Sequence, residues 1–392
     1  MGVADVRARL ADGRADDVPG RVLDLHHVWD YYRTRLLLRR VRDYRRVLDV
    51  ADEVAWECYG PVLGLAGARP KEPPLVGFSR AAAPRAHRRG SAYHDLLPRG
   101  GIHTREGRAA AARLPFPVID VPWSFGSHLP ALLTVAHEAA HHIDDDRGLG
   151  DEIRRRVATA GLPPERAVPW ERWSGEAFAD VCAAVLCGPA YVCVLAELLD
   201  AGDDADERDF DGAHPPPGAR LRLAGAAARL AGHPGAQDDT DFGDDDGDGD
   251  EARVVAGALV RGGWSGLDGV SLTELLAAGR PPGRADVPEG ARRLLAGGPS
   301  RCSSASGVLA AAALAFQHDP AAYDRLGIGE LAVAEVLRLR SAGTRAAPAA
   351  DPSATDRRRA HAEAGRAVLA ALDAGPDAGP DAGPDPGRAD FR

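Results

Sequence analysis

Apolar residues recur at helical spacing along most of the chain, between polar residues that would face solvent. The first series, in residues 21–60, ends at the dipeptide Gly60-Pro61. Its apolar members are Leu36, Leu37, Val41, Tyr44, Val47, Leu48 and Val54. The pattern returns in residues 127–143, 174–199, 219–230 and 254–339. We therefore predict a mostly helical protein, with a kink at Gly188-Pro189.

Two short segments have the composition of strands, at residues 75–78 and at residues 116–123. The second segment contains or adjoins Pro115, Pro117 and Pro122. Because proline has no N–H to donate to a neighbouring strand, this pattern predicts an edge strand. The predicted fold class is α+β, mostly helical, with a small sheet. Its edge strand, residues 116–123, precedes the helix predicted in residues 127–143.

Composition and charge divide the chain into regions. Residues 151–170 are polar and interrupted by prolines, and the repeat DAGPDAGPDAGPDPG near the end is too rich in proline and glycine to bury a core. We predict a flexible N-terminus (1–20), an N-terminal helical and loop region (21–114), a central core (115–235), an acidic linker (236–251), a C-terminal helical region (252–340) and a largely disordered tail (341–392).

The bulk composition is that of an ordinary globular protein. The 392 residues are 45% hydrophobic, and the formal net charge of -10 argues against nucleic acid as a main partner. The N-terminus lacks the apolar stretch of a secretory signal, and no apolar run approaches the ~20 residues that a membrane helix needs. The 5 cysteines follow neither disulfide nor zinc-site spacing. A cytoplasmic protein without a membrane span is therefore expected.

Residues 133–142, LTVAHEAAHH, contain the motif H-E-x-x-H on a helix that we expect Ser127 to cap. His137 and His141 lie on one helical face, so both imidazoles can reach one zinc ion at ~2.0–2.1 Å. Glu138 can accept a proton from a zinc-bound water without being a ligand itself. A chain of this composition contains such a motif by chance roughly 0.06 times. The motif therefore predicts a metal centre rather than a polar patch.

A catalytic zinc site needs a third protein ligand and leaves one position open. The third histidine of the metzincin pattern is absent, since Asp144 and Arg147 occupy its glycine and histidine positions. The segment WSGEAFADVC instead places Glu176 and Asp180 on one face of a second helix. Glu176 can ligate zinc, and Asp180 can accept a hydrogen bond from the second nitrogen of a ligating histidine. Asp144, close after His141, is the alternative third ligand.

The motif H-E-x-x-H followed by E-x-x-A-D resembles the gluzincin metalloproteases, especially the M48-type peptidases. A similar H-P-x-x-x-x-R segment follows, here from His214 to Arg220. The matched region covers roughly residues 115–235 and has none of the transmembrane helices of the membrane-bound M48-type enzymes. The chain therefore looks like a soluble relative, and the resemblance implies a zincin fold with residues 115–235 as its catalytic core.

The resemblance also implies roles for further residues. The strand at 116–123 becomes the sheet edge along which an extended peptide pairs through its main chain. His214 is expected to donate a hydrogen bond to the tetrahedral oxyanion. Arg220 is expected to brace the site through Asp180 or another carboxylate. Structural capping is the alternative role for both residues.

The predicted function is that of a zinc metalloendopeptidase acting on a peptide or protein substrate. One alternative is a non-catalytic zinc-containing module for binding or regulation. Another is an effector protease that is delivered into a second cell. The basic segment 80–113 is either a solvated loop or a lid over the site.

Overall fold

The computed structural model describes residues 18–66, 72–87, 117–200, 212, 214–233, 248–280 and 286–341. Several predicted segments lie outside these residues: the N-terminus up to 17, most of the basic segment 80–113, the acidic linker up to 247 and the tail from 342. The described part is mostly helical with one small sheet, which confirms the predicted α+β class.

The helices are numbered here in chain order. They are α1 (Val18–Leu38), α2 (Arg42–Tyr59), α3 (Val135–Arg147), α4 (Gly150–Ala158), α5 (Pro164–Arg172), α6 (Ser174–Cys187), α7 (Pro189–Asp200), α8 (Pro217–Leu230), α9 (Asp248–Val260), α10 (Leu272–Ala278), α11 (Val287–Leu295), α12 (Ala305–His318), α13 (Pro320–Arg325) and α14 (Ile328–Ser341). Short 3-10 helices cover Gly60–Gly64, Trp123–Gly126, Leu129–Thr134 and Ser265–Leu267. Helices α4 and α5 fall largely in the polar segment 151–170, whose prolines lie at 163, 164 and 169. Pro164 fits there because it stands in the first turn of α5, where its missing N–H has no partner to lose.

The sheet contains three strands, β1 (Leu75–Ser79), β2 (Arg85–His87) and β3 (Val118–Pro122). Their order is β1-β3-β2, with β3 parallel to β1 and antiparallel to β2. Ala86 of β2 lies opposite Ile119 of β3. Strand β2 falls in a segment that the sequence had suggested was a loop.

The prediction that residues 116–123 form an edge strand is wrong, since β3 is the central strand. Its prolines tolerate this position because they stand at the strand ends. Pro117 precedes β3 and accepts a hydrogen bond from the Leu75 N–H at 2.9 Å through its carbonyl, and Pro122 is the last residue. Proline at a strand end removes no hydrogen bond from the middle of the ladder.

Side chains close the outer edge of β1. Asp52 accepts a hydrogen bond from the Val76 N–H at 3.4 Å, and Arg39 donates to the Val76 carbonyl at 2.7 Å. Arg39 and Asp52 also bond to each other at 2.8 and 2.9 Å. These contacts occupy the main-chain groups with which a further strand would pair.

A buried ionic group ties α1 to the sheet. Arg35 of α1 donates to both oxygens of Asp120 in β3 at 2.7 Å, and Nε2 of His87 in β2 lies 3.1 Å from the same carboxylate. Gly77 stands opposite Asp120 in β1. A Cβ at Gly77 would lie 2.9 Å from Cγ of Arg35, so glycine leaves the space that the arginine side chain fills.

The H-E-x-x-H motif lies on α3, but this helix begins later than predicted. The prediction that Ser127 caps it is wrong, because the 3-10 helix Leu129–Thr134 intervenes and Ser127 Oγ donates to the Ser124 carbonyl at 2.9 Å. Helix α3 ends at Gly148, whose φ of 65° is the left-handed conformation that glycine adopts freely.

The second long helical segment is interrupted at Gly188-Pro189, as predicted, and forms α6 and α7. Gly188 has φ 66° and ψ -151°, a conformation that is essentially restricted to glycine. A Cβ there would lie 2.7 Å from Nδ1 of His233, which also excludes a larger residue. The break turns α7 so that it can pack against α6 and α8.

All described residues belong to one compact unit. Its core is built on the contacts of α3 with α2 and α6, and of α12 with α11 and α14. Among the described residues, no helix combines the length and the apolar content needed to cross a bilayer. The predicted region boundaries inside this unit stay predictions.

Candidate metal centre

Three side chains from two helices converge on one point. His137 and His141 belong to α3 and Glu176 to α6, and one ligand atom of each lies within 4.8 Å of the other two. The Nε2 atoms of the histidines are 3.2 Å apart. The Glu176 carboxylate oxygens lie 3.3 Å from Nε2 of His137 and 3.5 Å from Nε2 of His141. This group could hold a metal ion.

Helix geometry and packing explain the convergence. His137 and His141 lie one helical turn apart on α3. Glu176 lies in the first turn of α6, just after Trp173, whose buried indole donates to the Gly212 carbonyl at 3.0 Å. Buried alanines on both helices permit their close packing: Ala136, Ala139, Ala140, Ala177, Ala179 and Ala183.

Behind His137 lies a fully buried carboxylate, Asp180 of α6. It accepts a hydrogen bond from Nδ1 of His137 at 2.8 Å and two from the Arg220 guanidinium at 2.8 Å each. The Tyr191 hydroxyl of α7 donates to Asp180 as well, at 2.7 Å. Opposing its burial, Arg220 and His137 hold the pKa of Asp180 well below its usual range. Asp180 is therefore a charged acceptor that orients His137.

Glu138 lies beside the ligand group but is not part of it. It is 7% exposed, and its carboxylate accepts a hydrogen bond from the Ala86 N–H of β2. Burial raises the pKa of Glu138, and the charge on His137 only partly offsets this. A raised pKa makes a carboxylate a stronger proton acceptor, as a general base requires.

The electrostatic surroundings shift the pKa values of the two histidines in opposite directions. Burial opposes the charged form of His137, but Asp180 and Glu176 outweigh it and raise the pKa of His137 to about 10. Burial likewise opposes the charge on Glu176, but the histidines lower the pKa of Glu176 to about 2. Burial and the neighbouring His137 lower the pKa of His141 to about 4. A neutral imidazole such as His141 is the form that ligates metal.

Arg220 reaches the site from the start of α8, and His214 from the residues just before that helix. Arg220 donates hydrogen bonds to Asp180, which was one of the two alternatives expected for its carboxylate partner. Nε2 of His214 lies 3.6 Å from a Glu176 oxygen, and its side chain is 57% exposed. This histidine therefore stands at the solvent side of the ligand group, where a bound molecule could contact it.

Two other residues near the motif lie outside the ligand group. Asp144, the alternative third ligand, is not among the residues that converge. His142 is buried, with Nε2 3.3 Å from the Val118 carbonyl of β3, so it packs α3 against the sheet.

Sequence reasoning missed Tyr191 and Ala86. Tyr191 lies beyond the Gly188 break, in an apolar run where a tyrosine would be expected to pack in the hydrophobic core. Ala86 acts through its main-chain N–H, which no residue type reveals. Both contacts depend on how separate elements pack, and no sequence motif carries them.

The donor set fits a zinc ion. Two imidazole nitrogens and one carboxylate oxygen are a common ligand set of catalytic zinc sites. Nδ1 of His137 is already bonded to Asp180, so its Nε2 is left to face the other two ligands.

Comparison of this chain with protein-family models, curated proteins and solved structures found no match in any of the three.

Proposed function

We propose that this protein is a zinc-dependent metallopeptidase, with zinc held by His137, His141 and Glu176. The observation that carries the proposal is the position of Glu138, buried beside the ligand group without belonging to it. A purely structural zinc site has no use for such a carboxylate, whereas hydrolysis needs a general base.

Each residue of the site has its own role in the proposed hydrolysis of an amide bond. A bound zinc ion supplies Lewis acidity, which polarises a carbonyl and lowers the pKa of water. Glu138 takes the proton from the attacking water and returns it to the leaving amine. Asp180 and Arg220 hold His137 in place. In this proposal His214, which is exposed and next to Glu176, donates a hydrogen bond to the oxyanion.

The substrate strand pairs with β2 in this proposal, and not with β3. Strand β2 is the other outer strand of the sheet, and the Ala86 main chain lies beside Glu138. The edge of β1 is closed by Arg39 and Asp52. An extended peptide added at β2 therefore lies next to the general base.

The three motifs support a soluble zincin of the gluzincin kind, related to M48-type peptidases. The five cysteines are free thiols, in keeping with a reducing, cytoplasmic compartment. The proposed substrate is a peptide or protein, cleaved within its chain.

The test measures zinc content and hydrolysis of a quenched-fluorescent peptide library by the wild type and by Glu138→Gln. We expect about one zinc per chain in both, with hydrolysis at least ~100-fold slower in Glu138→Gln, because the amide cannot accept the proton. Glu165→Gln, on the exposed face of α5, is the matched control and should keep full activity.

Each result has a distinct meaning. Activity retained by Glu138→Gln would remove Glu138 from the mechanism. Bound zinc without any hydrolysis by the wild type would favour the non-catalytic module. A wild type without zinc would overturn the proposal altogether.

A further inference from the structure

Tyr191 reaches the metal centre from a third helix. It lies in the first turn of α7, just after the Gly188 break, and is 1% exposed. Its hydroxyl donates to Oδ1 of Asp180 at 2.7 Å and lies 3.3 Å from Nδ1 of His137. The hydroxyl therefore stands where Asp180 and His137 meet.

Asp180 has a complete set of donors. Its Oδ1 accepts from Nδ1 of His137, from Tyr191 and from Nη2 of Arg220, while its Oδ2 accepts from Nε of Arg220. Because the carboxylate is fully buried, these contacts fix its position. Arg220 holds both oxygens, and Tyr191 holds only the oxygen that bonds His137.

We infer that Tyr191 is a positioning residue of the proposed metal site, which fixes Asp180 against His137 and so keeps Nε2 of His137 free for the metal. The inference rests on the proposed function only through the metal, and not through hydrolysis. In this arrangement Nδ1 of His137 carries the proton that Asp180 accepts. Nε2 faces His141 and Glu176, and a metal bound there would displace the proton that this nitrogen otherwise carries.

The two ligating histidines differ in this support. His137 is held at Nδ1 by Asp180, whereas within the described part of the chain Nδ1 of His141 has no hydrogen-bond partner. His141 is also more exposed, at 24% of its side chain. The firmly placed ligand is thus His137, and its placement depends on the contacts of Asp180.

The Tyr191 hydroxyl is a permanent donor. Burial, together with the charge on Asp180, raises the pKa of Tyr191 well above its usual value, so the hydroxyl keeps its proton at any physiological pH. Phenylalanine at this position keeps the ring and removes only that donor. Tyr191→Phe therefore tests the hydrogen bond with little disturbance of packing.

The experiment measures the zinc dissociation constant by chelator competition for the wild type, Tyr191→Phe and Tyr323→Phe. Tyr323 is the matched control: it is also buried, and its hydroxyl has no hydrogen-bond partner in the described residues. We expect weaker zinc binding by about 10-fold or more in Tyr191→Phe, the usual effect of losing an outer hydrogen bond of a metal site, and no change in Tyr323→Phe.

Further measurements separate positioning from folding. Thermal unfolding of the chelator-treated proteins should show one cooperative transition for both variants, so that a loss of zinc affinity does not reflect an unfolded protein. The visible spectrum of the cobalt-substituted protein should change only in Tyr191→Phe. In a double-mutant cycle with Asp180→Asn, the losses of zinc affinity should be less than additive, because both changes act on the same contact to His137.

Unchanged zinc affinity in Tyr191→Phe, or additive losses in the cycle, would overturn the inference and leave the peptidase proposal standing. Weaker zinc binding in Tyr191→Phe of a protein that hydrolyses no peptide would support the inference and count against the peptidase. A wild type that binds no zinc would overturn both.

Discussion

Two buried groups in this molecule contain the same three residue types. In the first, Asp180 is bonded by Arg220 and by His137. In the second, Asp120 is bonded by Arg35 and by His87. Both carboxylates are buried, with 0% and 2% exposure, and each arginine reaches both oxygens of its partner.

The two groups differ in the surroundings of the histidine. His137 uses Nδ1 for its carboxylate, and its Nε2 faces His141 and Glu176. His87 uses Nε2 for its carboxylate, and within the described residues it belongs to no cluster of metal ligands. A buried Asp–Arg–His group can therefore connect elements of the fold without being near a metal site. It becomes part of a candidate metal centre only where further ligands converge.

The largest expected effect separates the two histidines by zinc content. His137→Ala removes a proposed ligand and should abolish stoichiometric zinc binding, whereas His87→Ala should keep about one zinc per folded chain. Elemental analysis of the purified folded proteins measures this directly. Equal zinc content in the two variants would show that the groups are not distinguished by the metal.

The next effect concerns the carboxylates. Asp120→Asn removes the buried negative charge that Arg35 and His87 contact, which should lower the free energy of unfolding by about 3–5 kcal/mol. Asp180→Asn should destabilise the protein through Arg220 in the same way, and should also weaken zinc binding by about 10–100-fold. Denaturant titration gives the stabilities, and chelator competition gives the affinities.

The zinc affinity of Asp120→Asn, compared with that of Asp180→Asn, decides whether the two carboxylates differ in function. Folded Asp120→Asn should bind zinc as the wild type does. A clear loss of zinc affinity there would couple the sheet group to the metal centre and would contradict the separation drawn between them.

The smallest effect concerns the space around Arg35. Gly77→Ala places a Cβ 2.9 Å from Cγ of Arg35, so the side chain must shift, at a cost of about 1–3 kcal/mol in stability. Gly126→Ala is the control, since its Cβ would meet the Phe78 ring at 3.5 Å, an ordinary contact. Thermal unfolding compares the two, and both should keep wild-type zinc affinity. Equal stability would mean that Arg35 adapts without strain.

The sheet shows where inference from composition failed. Prolines beside β3 suggested an edge strand, but they stand at its ends and remove no bond from the middle of the ladder. The strand that reaches Glu138 is β2, only three residues long, in a segment without strand-like alternation. So short a strand carries too little periodicity to be recognised.

Helix periodicity and motif spacing are local properties, and the chain carries them in its sequence alone. The spacing of His137 and His141, the helix that carries Glu176 and the break at Gly188 could therefore all be predicted. The hydroxyl of Tyr191 on Asp180, the Ala86 N–H on Glu138 and the closed edge of β1 could not. These contacts join separate elements, and their geometry depends on how whole helices and strands pack, which no local pattern of residues encodes.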